Sequence, residues 1–361
     1  MPMFQTSVRS GLSIAAVAAT VLLASCATPE PEPVAPPPPP PPAVTLNEGV
    51  AEAASIYVTF IREVGSIQAG FPDAESIQAA IRRGAAYEPA QLSRGMIAYG
   101  SILALQSPEF VAGVRTFGVD PDQRQRMIER IIANPAYAAT LPGADAAAGL
   151  IVEVIGKDSA ALMTIANAVE EDAYTIQGRG DPRRRWASVH ITHREDRLES
   201  AKSLSAVQML PSADEAARLF AAANTGSGLS LTAAEAGPPY TPAVVNSLAI
   251  AALAALGAGG DDARANTEAL VVESNSEFCL NMSKLMLFQC LAASRPSYED
   301  IFCVGRHIMR DLATCTASNI TPIPPVTPAP DTAVAGAGGI SSPVAAGAAA
   351  ASISAVQTAS R

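Results

Sequence analysis

CLNMSKLMLFQC (Cys279–Cys290) and CVGRHIMRDLATC (Cys303–Cys315), joined through the turn signal Ser294-Arg295-Pro296-Ser297, decide the fold. Residues 279–290 read as one helix and 298–315 as another. Cys279 and Cys290 are 11 residues apart, so on a helix their Cα atoms lie about 16 Å apart along the axis. A disulfide needs Cα atoms about 4.4–6.8 Å apart, so neither helix bridges to itself. The short connection makes the two helices antiparallel neighbours. Cys290 then pairs with Cys303 near the turn, and Cys279 with Cys315 at the far end. A step of 11 residues also returns a helix to nearly the same face, so both cysteines of the first helix point at the second. The spacing predicts a stapled helical hairpin. A four-cysteine metal site is disfavoured, because such ligands usually stand about two to four residues apart and none do here.

Composition extends the helical reading to the rest of the chain. Hydrophobic residues make up 49% and aromatic residues only 5%, so the apolar content is largely alanine with scattered Ile, Leu, Val and Met. That suits closely packed helices, and no strand-like alternation runs long enough to propose a sheet. The fold class expected is all-α: a multi-helix bundle with a long helical hairpin and the disulfide-stapled hairpin at its C-terminal side. A net charge of −10 argues against a nucleic-acid partner.

Punctuation marks off the helices. Val50, Ala54, Tyr57, Val58 and Ile61 give one buried face over Asn47–Gln68. Pro72-Asp73 opens a helix to about Tyr87, and Pro89 stands in the first turn of another that ends at Gln106. Ser107-Pro108 and Asp120-Pro121 place a capping side chain before a first-turn proline. Ala144–Gln177 is the longest helix, with a stripe of Ile151, Ile155, Leu162, Ile165, Val169 and Ile176. Asp181-Pro182 is expected to start a helix to about Leu210, completing a long hairpin. Ala243–Leu256 is apolar all round and, at 14 residues, reads as a buried core helix. Gly, Ser and Pro cluster at Thr225–Pro239, where a break would divide 47–225, a helical domain or subdomain, from the disulfide-bearing subdomain 240–316; one domain or two is left open. No internal repeat is evident.

The turn of the long hairpin concentrates charge. Arg179, Arg183, Arg184, Arg185, Arg194, Arg197 and Lys202 face Asp181, Glu195, Asp196 and Glu199: seven cations against four acids, a net +3 in a chain of −10. Arg183–Arg185 would fall in the first turn of a helix, where the dipole disfavours cations by roughly 0.3–1 kcal/mol each. That cost points to a compensating anion. Arg179, Arg183, Arg184, Arg185, Arg194 and Arg197, with Trp186, the only tryptophan, form the candidate partner-binding surface. A solvated face paired with neighbouring acids is the competing reading. His190 and His193 stand three apart and continue the face begun by Trp186 and Val189, which reads as a packed pair; a metal site there lacks further ligands. His307 is expected to pack on the stapled hairpin. Arg179-Gly180-Asp181 reads as a helix stop and cap.

Near the amino terminus, Arg9 precedes an apolar run of 13 residues, Leu12–Ala24. A membrane-spanning helix takes ~20, so the run fits a cleaved export signal instead. It ends in Leu23-Ala24-Ser25-Cys26, which resembles the lipobox of bacterial lipoproteins. The resemblance implies a signal peptide at 1–25 and lipidation of Cys26, palmitate included, with the several acyl chains that durable anchoring requires. Ala27, where Asp would retain a lipoprotein at the inner membrane, implies the outer membrane, with the domain facing the periplasm. An oxidising compartment agrees with two disulfides. Residues 26–46 carry a proline run from Pro36 to Pro42; at ~3.1 Å per residue they make a tether reaching up to ~60 Å. Residues 317–361 are Pro, Ala, Gly, Ser and Thr, a composition expected to stay disordered. The paired-cysteine hairpin resembles the CHCH type in arrangement but not in spacing, and no function is carried over from it.

Catalytic signatures are absent: no G-x-S-x-G, H-E-x-x-H, Walker loop or dinucleotide fingerprint occurs. No catalytic residue, metal or cofactor beyond the lipid on Cys26 is assigned. The favoured reading is a non-catalytic, membrane-anchored binding or scaffolding module. Its partner would be an envelope protein, a lipid head group or a cell-wall component. The alternative is a cell-wall hydrolase using carboxylates as acid and base. Glu170-Glu171-Asp172 and Glu299-Asp300 are its obvious acids, and both groups read as exposed.

Overall fold

Asn47 opens the folded region. Its side-chain oxygen accepts from the Val50 N–H at 3.1 Å and caps α1 (Glu48–Gly65), while its amide donates to Gly259 O and Thr267 Oγ1, each at 2.9 Å. One side chain thus starts a helix and ties it to residues more than 200 positions away. The computed structural model describes residues 40–179 and 182–322. The signal at 1–25, Cys26, most of the segments 26–46 and 317–361, and Gly180-Asp181 lie outside the described residues.

Capping chemistry sets the helix starts. Asp73 and Ser76 form a reciprocal capping box at α2 (Ala74–Ala85). Four later helices begin with proline directly after a capping side chain: Glu88 for α3 (Pro89–Ala104), Ser107 for α4 (Pro108–Arg115), Asp120 for α5 (Pro121–Ala133) and Thr241 for α9 (Pro242–Ala255). Between them run α6 (Ala144–Arg179), α7 (Arg194–Ser205) and α8 (Ala213–Thr225). A short α10 (Ala265–Glu268) leads to α11 (Ser274–Ala293) and α12 (Ser297–Cys303). A π-helical stretch, Val304–Arg310, continues α12 into α13 (Asp311–Ile320). The fold is all-α, and the described residues contain no strand beyond isolated bridges.

The core is built on α3. It packs on α1 and on α9, and α8 packs on α1 and touches α3 as well. Gly95 permits the α1–α3 approach: a Cβ there would lie 2.5 Å from Ala53 O and 2.9 Å from Tyr57 Cβ. The 14-residue α9 is buried almost throughout, as its uniform apolarity predicts. It touches α3, α4, α6, α13 and the 3-10 segment Pro135–Thr140. The segments 47–225 and 240–316 therefore share one core, and clustering of contacts groups them as a single unit.

Both disulfides form as the spacing predicts. Cys279–Cys315 and Cys290–Cys303 join α11 to the C-terminal arm, with Cα separations of 5.7 and 5.8 Å. The arm continues five residues past the expected end at 315, to the buried Ile320. At the other end, the last residues of the proline-rich segment are docked rather than free. Arg115 donates to the carbonyls of Pro41 and Pro42 at 3.3 and 3.1 Å, Thr45 N–H to Ala254 O at 3.0 Å, and Leu46 is buried.

The long hairpin needs correcting. Its first arm, α6, is 36 residues long. Instead of one helix to Leu210, the chain then makes a 3-10 turn at Pro182–Ser188, an extended stretch, and the 12-residue α7. Ile191 N–H donates to Arg295 O at 2.9 Å and His190 bridges to Pro296, so the backbone's hydrogen bonds go to a distant linker instead of a helix. His193, at φ 55°, turns the chain into α7, which packs on α2 and α11. The partner running along α6 is the C-terminal arm, α12 through α13. No helix among the described residues is long and apolar enough to cross a membrane.

Candidate functional site

A groove of about 580 Å³ opens between α2, the segment 186–193 and the start of α7. The capping box fixes α2 so that Glu75, Gln78, Ile81 and Arg82 face the opening. The bridge of His190 to Pro296 holds the opposite wall, formed by Trp186, Val189, His190 and Ile191. Asp196, Arg197 and Ser200 of α7 and Ser297 of α12 complete it.

The groove floor is Arg197, held in a buried ion pair. Arg197 lies 3.2 Å from Asp300, and both side chains are buried. Asp300 also accepts from Ser294 Oγ at 2.6 Å and Gln78 Nε2 at 3.2 Å. Burial raises the Asp300 carboxyl above its ordinary range, against the pull of Arg197 and the hydrogen bonds from Ser294 and Gln78. Arg197 further donates to Leu291 O and to Ser294 Oγ, and Arg194 to Ala292 O and, at 2.8 Å, to Ser294 O. Two guanidinium groups therefore cap the carbonyl end of α11, where cations are favoured.

The arginine cluster is thus divided. Arg194 and Arg197 are consumed by α11. Arg184 pairs with Asp172 of α6, and Arg183 too has a partner within the fold. Arg179 and Arg185 are exposed. Arg183–Arg185 sit in a 3-10 turn rather than a helix's first turn, so the dipole cost inferred from sequence does not arise, and most of the cluster is compensated internally. Trp186 alone of the candidates lines the groove as a free wall, half-buried.

His190 and His193 do not share a helix, and His193 is an exposed group 3.7 Å from Asp196. Among the described residues no group of His, Cys, Asp or Glu is arranged to hold a metal. His307 is partly buried with Nδ1 2.9 Å from Asp311 Oδ2.

The acids expected to be exposed are largely not. Asp300 is buried behind Arg197, the groove's floor, and does not itself line the groove. Glu170 is buried against Gly305 and binds Arg310 at 2.6 Å, while Asp172 also accepts from Gly70 N–H at 3.0 Å. Glu299 accepts from Arg295 N–H at 2.6 Å. Sequence reading passed over Asp158, which lines a separate cleft of about 400 Å³ with Tyr99, Arg62, Arg218 and the apolar Val58, Ile61, Leu162 and Ile165. Burial lifts its carboxyl to about 6, with Arg62 opposing. Glu215 beside it is held below its ordinary range, chiefly by the hydrogen bonds from Arg218, and does not line the cleft.

One signal for the buried pair was in the sequence. Ser297, Asp300, Ile301, Val304 and Ile308 fall on one helical face, so Asp300 is an acid in an apolar stripe. No family model, curated protein or solved structure matches this chain.

Proposed function

We propose that this chain is a non-catalytic binding module of the bacterial envelope, tethered to the outer membrane by lipid on Cys26 and facing the periplasm, whose ligand lies in the Trp186 groove. The observation that carries the reading is how the groove's charge is disposed. Glu75 and Arg82 pair at 2.6 Å, and Arg197 pairs with Asp300 at 3.2 Å. Besides these pairs the groove offers a single indole, the neutral hydrogen-bonding groups Gln78, Ser200, Thr192 and Ser297, the imidazoles of His190 and His193, and one exposed carboxylate, Asp196, 3.7 Å from His193. Hydroxyl-rich ligands with an apolar ring face can stack on the indole and hydrogen-bond to these neutral groups and to Asp196 without displacing either ion pair. Among the envelope partners open to the protein, the glycan of the cell wall has that chemistry. Arg194 and Arg197, already committed to α11, leave a lipid phosphate little to bind.

Co-sedimentation of the purified protein with cell-wall sacculi tests this. The native chain should pellet with sacculi and the Trp186→Ala variant should remain in the supernatant. Equal pelleting of both would place binding elsewhere. A second reading, a cell-wall hydrolase, draws support from one feature, the Asp158 carboxyl in its cleft. Soluble fragments released from the same sacculi by the native chain, and not by Asp158→Asn, would establish that activity instead.

A further inference from the structure

The outward face of α11 carries no charge. Its two ionisable residues are withdrawn: Lys284 is buried, donating to Ser205 O at 2.7 Å with its ammonium 4.7 Å from the centre of the Tyr87 ring, and Glu277 is only half-exposed with Oε1 buried. The lysine's pKa falls to about 8 through burial, so even the one cation on this helix is turned from solvent at some cost. What remains outside is Phe278, Met282 and Leu285, exposed by 67, 37 and 45%, among Ser, Asn, Gln and Ala. These three stand at i, i+4 and i+7, a single stripe along about 10 Å of helix. Cys279 and Cys290 lie on an adjoining face, about 100° round the helix from the stripe, and the disulfides hold the helix to the C-terminal arm at two points.

Solvent-facing helices of an acidic protein carry charge, and depletion of charge around aromatic and Met side chains marks the core of a protein interface. We propose that this face is the interface between two copies of the chain, packed helix on helix about a two-fold axis near Met282. Three considerations select a second copy. With a net charge of −10, two copies repel wherever their ordinary surfaces meet, and a charge-free face is where that repulsion is least. A membrane-lying helix would be flanked by Lys and Arg on its polar side, and α11 exposes neither. A two-fold contact sets each stripe against itself, with Phe278 over Leu285 of the other copy and Met282 on Met282, the i, i+4, i+7 spacing that interlocks at a shallow crossing angle. The inference is independent of what fills the Trp186 groove.

The test uses the full chain in intact cells, expressed as two differently tagged copies, with a photo-crosslinking phenylalanine analogue at position 282. A control places the same analogue at Ile132, an exposed apolar position on α5. Illumination should join one tag to the other from position 282 and not from 132. Adding Leu285→Glu should weaken self-association more than about tenfold, since a buried unpaired carboxylate costs more than the ~1.4 kcal/mol of one decade. That side chain is already exposed, so the variant should keep both disulfides, read as unchanged migration without reductant. Adducts from 282 to lipid, to another protein or to the chain's own tail, or equal self-crosslinking from 132, would overturn the proposal. So would tagged adducts that Leu285→Glu leaves unchanged, and so would no adduct at all.

Discussion

Arg197 and Asp300 meet at 3.2 Å through side chains only 4% and 1% exposed, and in doing so they join the floor of the groove to the disulfide-bonded hairpin. Gln78 and Ser294 saturate the carboxylate, and Leu291 O takes a further guanidinium proton. Both hydrogen bonds from the guanidinium leave through Nη2, to Leu291 O and Ser294 Oγ, while Nε and Nη1 are buried without a hydrogen-bond partner, so the ion pair with Asp300 carries their compensation. Removing one partner should be far worse than removing both. Asp300→Ala or Arg197→Ala should each cost about 3–5 kcal/mol, whereas Arg197→Met with Asp300→Leu should recover much of it. A double-mutant cycle from urea unfolding reads the difference; additive losses would mean the pair contributes no coupling.

The two disulfides close loops of different length, with sequence separations of 36 and 13. Loop-closure entropy makes the longer one worth more by about 1 kcal/mol. Replacing Cys279 and Cys315 by Ala should therefore lower the urea midpoint further than replacing Cys290 and Cys303. The reverse order would show that the linkage near the turn carries local packing that chain entropy does not describe.

Gly305 sits where the C-terminal arm crosses α6. A Cβ there would lie 2.8 Å from Glu170 Cγ and 3.0 Å from Glu170 N. Gly305→Ala should push the arm off α6 and cost about 1–3 kcal/mol by overpacking. Gly178→Ala, with open space around it, is the internal control. Equal stabilities in calorimetry would contradict the close packing of arm and helix.

Much of this fold is legible in the sequence because its determinants are local. Ser107-Pro108, Asp120-Pro121 and the uniform apolarity of 243–256 report caps and a buried helix directly, and the cysteine spacing fixes the hairpin by geometry alone. The break at 182–193 is not local. It depends on Ile191 finding Arg295 O, a partner 104 positions away in the chain, and nothing near Ile191 announces it. The arginine cluster misled for the same reason: its compensating groups are Asp172 on α6 and the carbonyl end of α11, brought close only by packing. Asp300, read from sequence as exposed, stands on an apolar face, and Asp158 likewise falls within the stripe of Ile151, Ile155, Leu162, Ile165 and Val169, so both acids carried a local sign of burial.

Asp158 makes stability depend on pH. Its folded pKa of about 6 stands above the ordinary value of 3.8 because burial disfavours the charge. Between those values the native state holds a proton that the unfolded chain has released, so stability falls as pH rises from about 4 to about 6 and is flat above. Asp158→Asn should leave stability nearly unchanged at about pH 4 and raise it by about 2 kcal/mol at about pH 7.5. Urea midpoints at the two pH values check this; an equal shift at both would remove the carboxyl's titration from the account.

Trp186 is the only tryptophan in the chain and stands in the groove wall, so its fluorescence reports on the proposed site with no label added. The most direct measurement is a titration of the native protein with soluble N-acetylglucosamine oligosaccharides, the uncharged sugar of the cell-wall glycan, following the Trp186 emission. The account predicts a saturable blue shift, abolished by Gln78→Ala and unaffected by Asp158→Asn. An emission spectrum unmoved up to about 1 mM glycan, the range of affinities worth only ~4 kcal/mol, would contradict it.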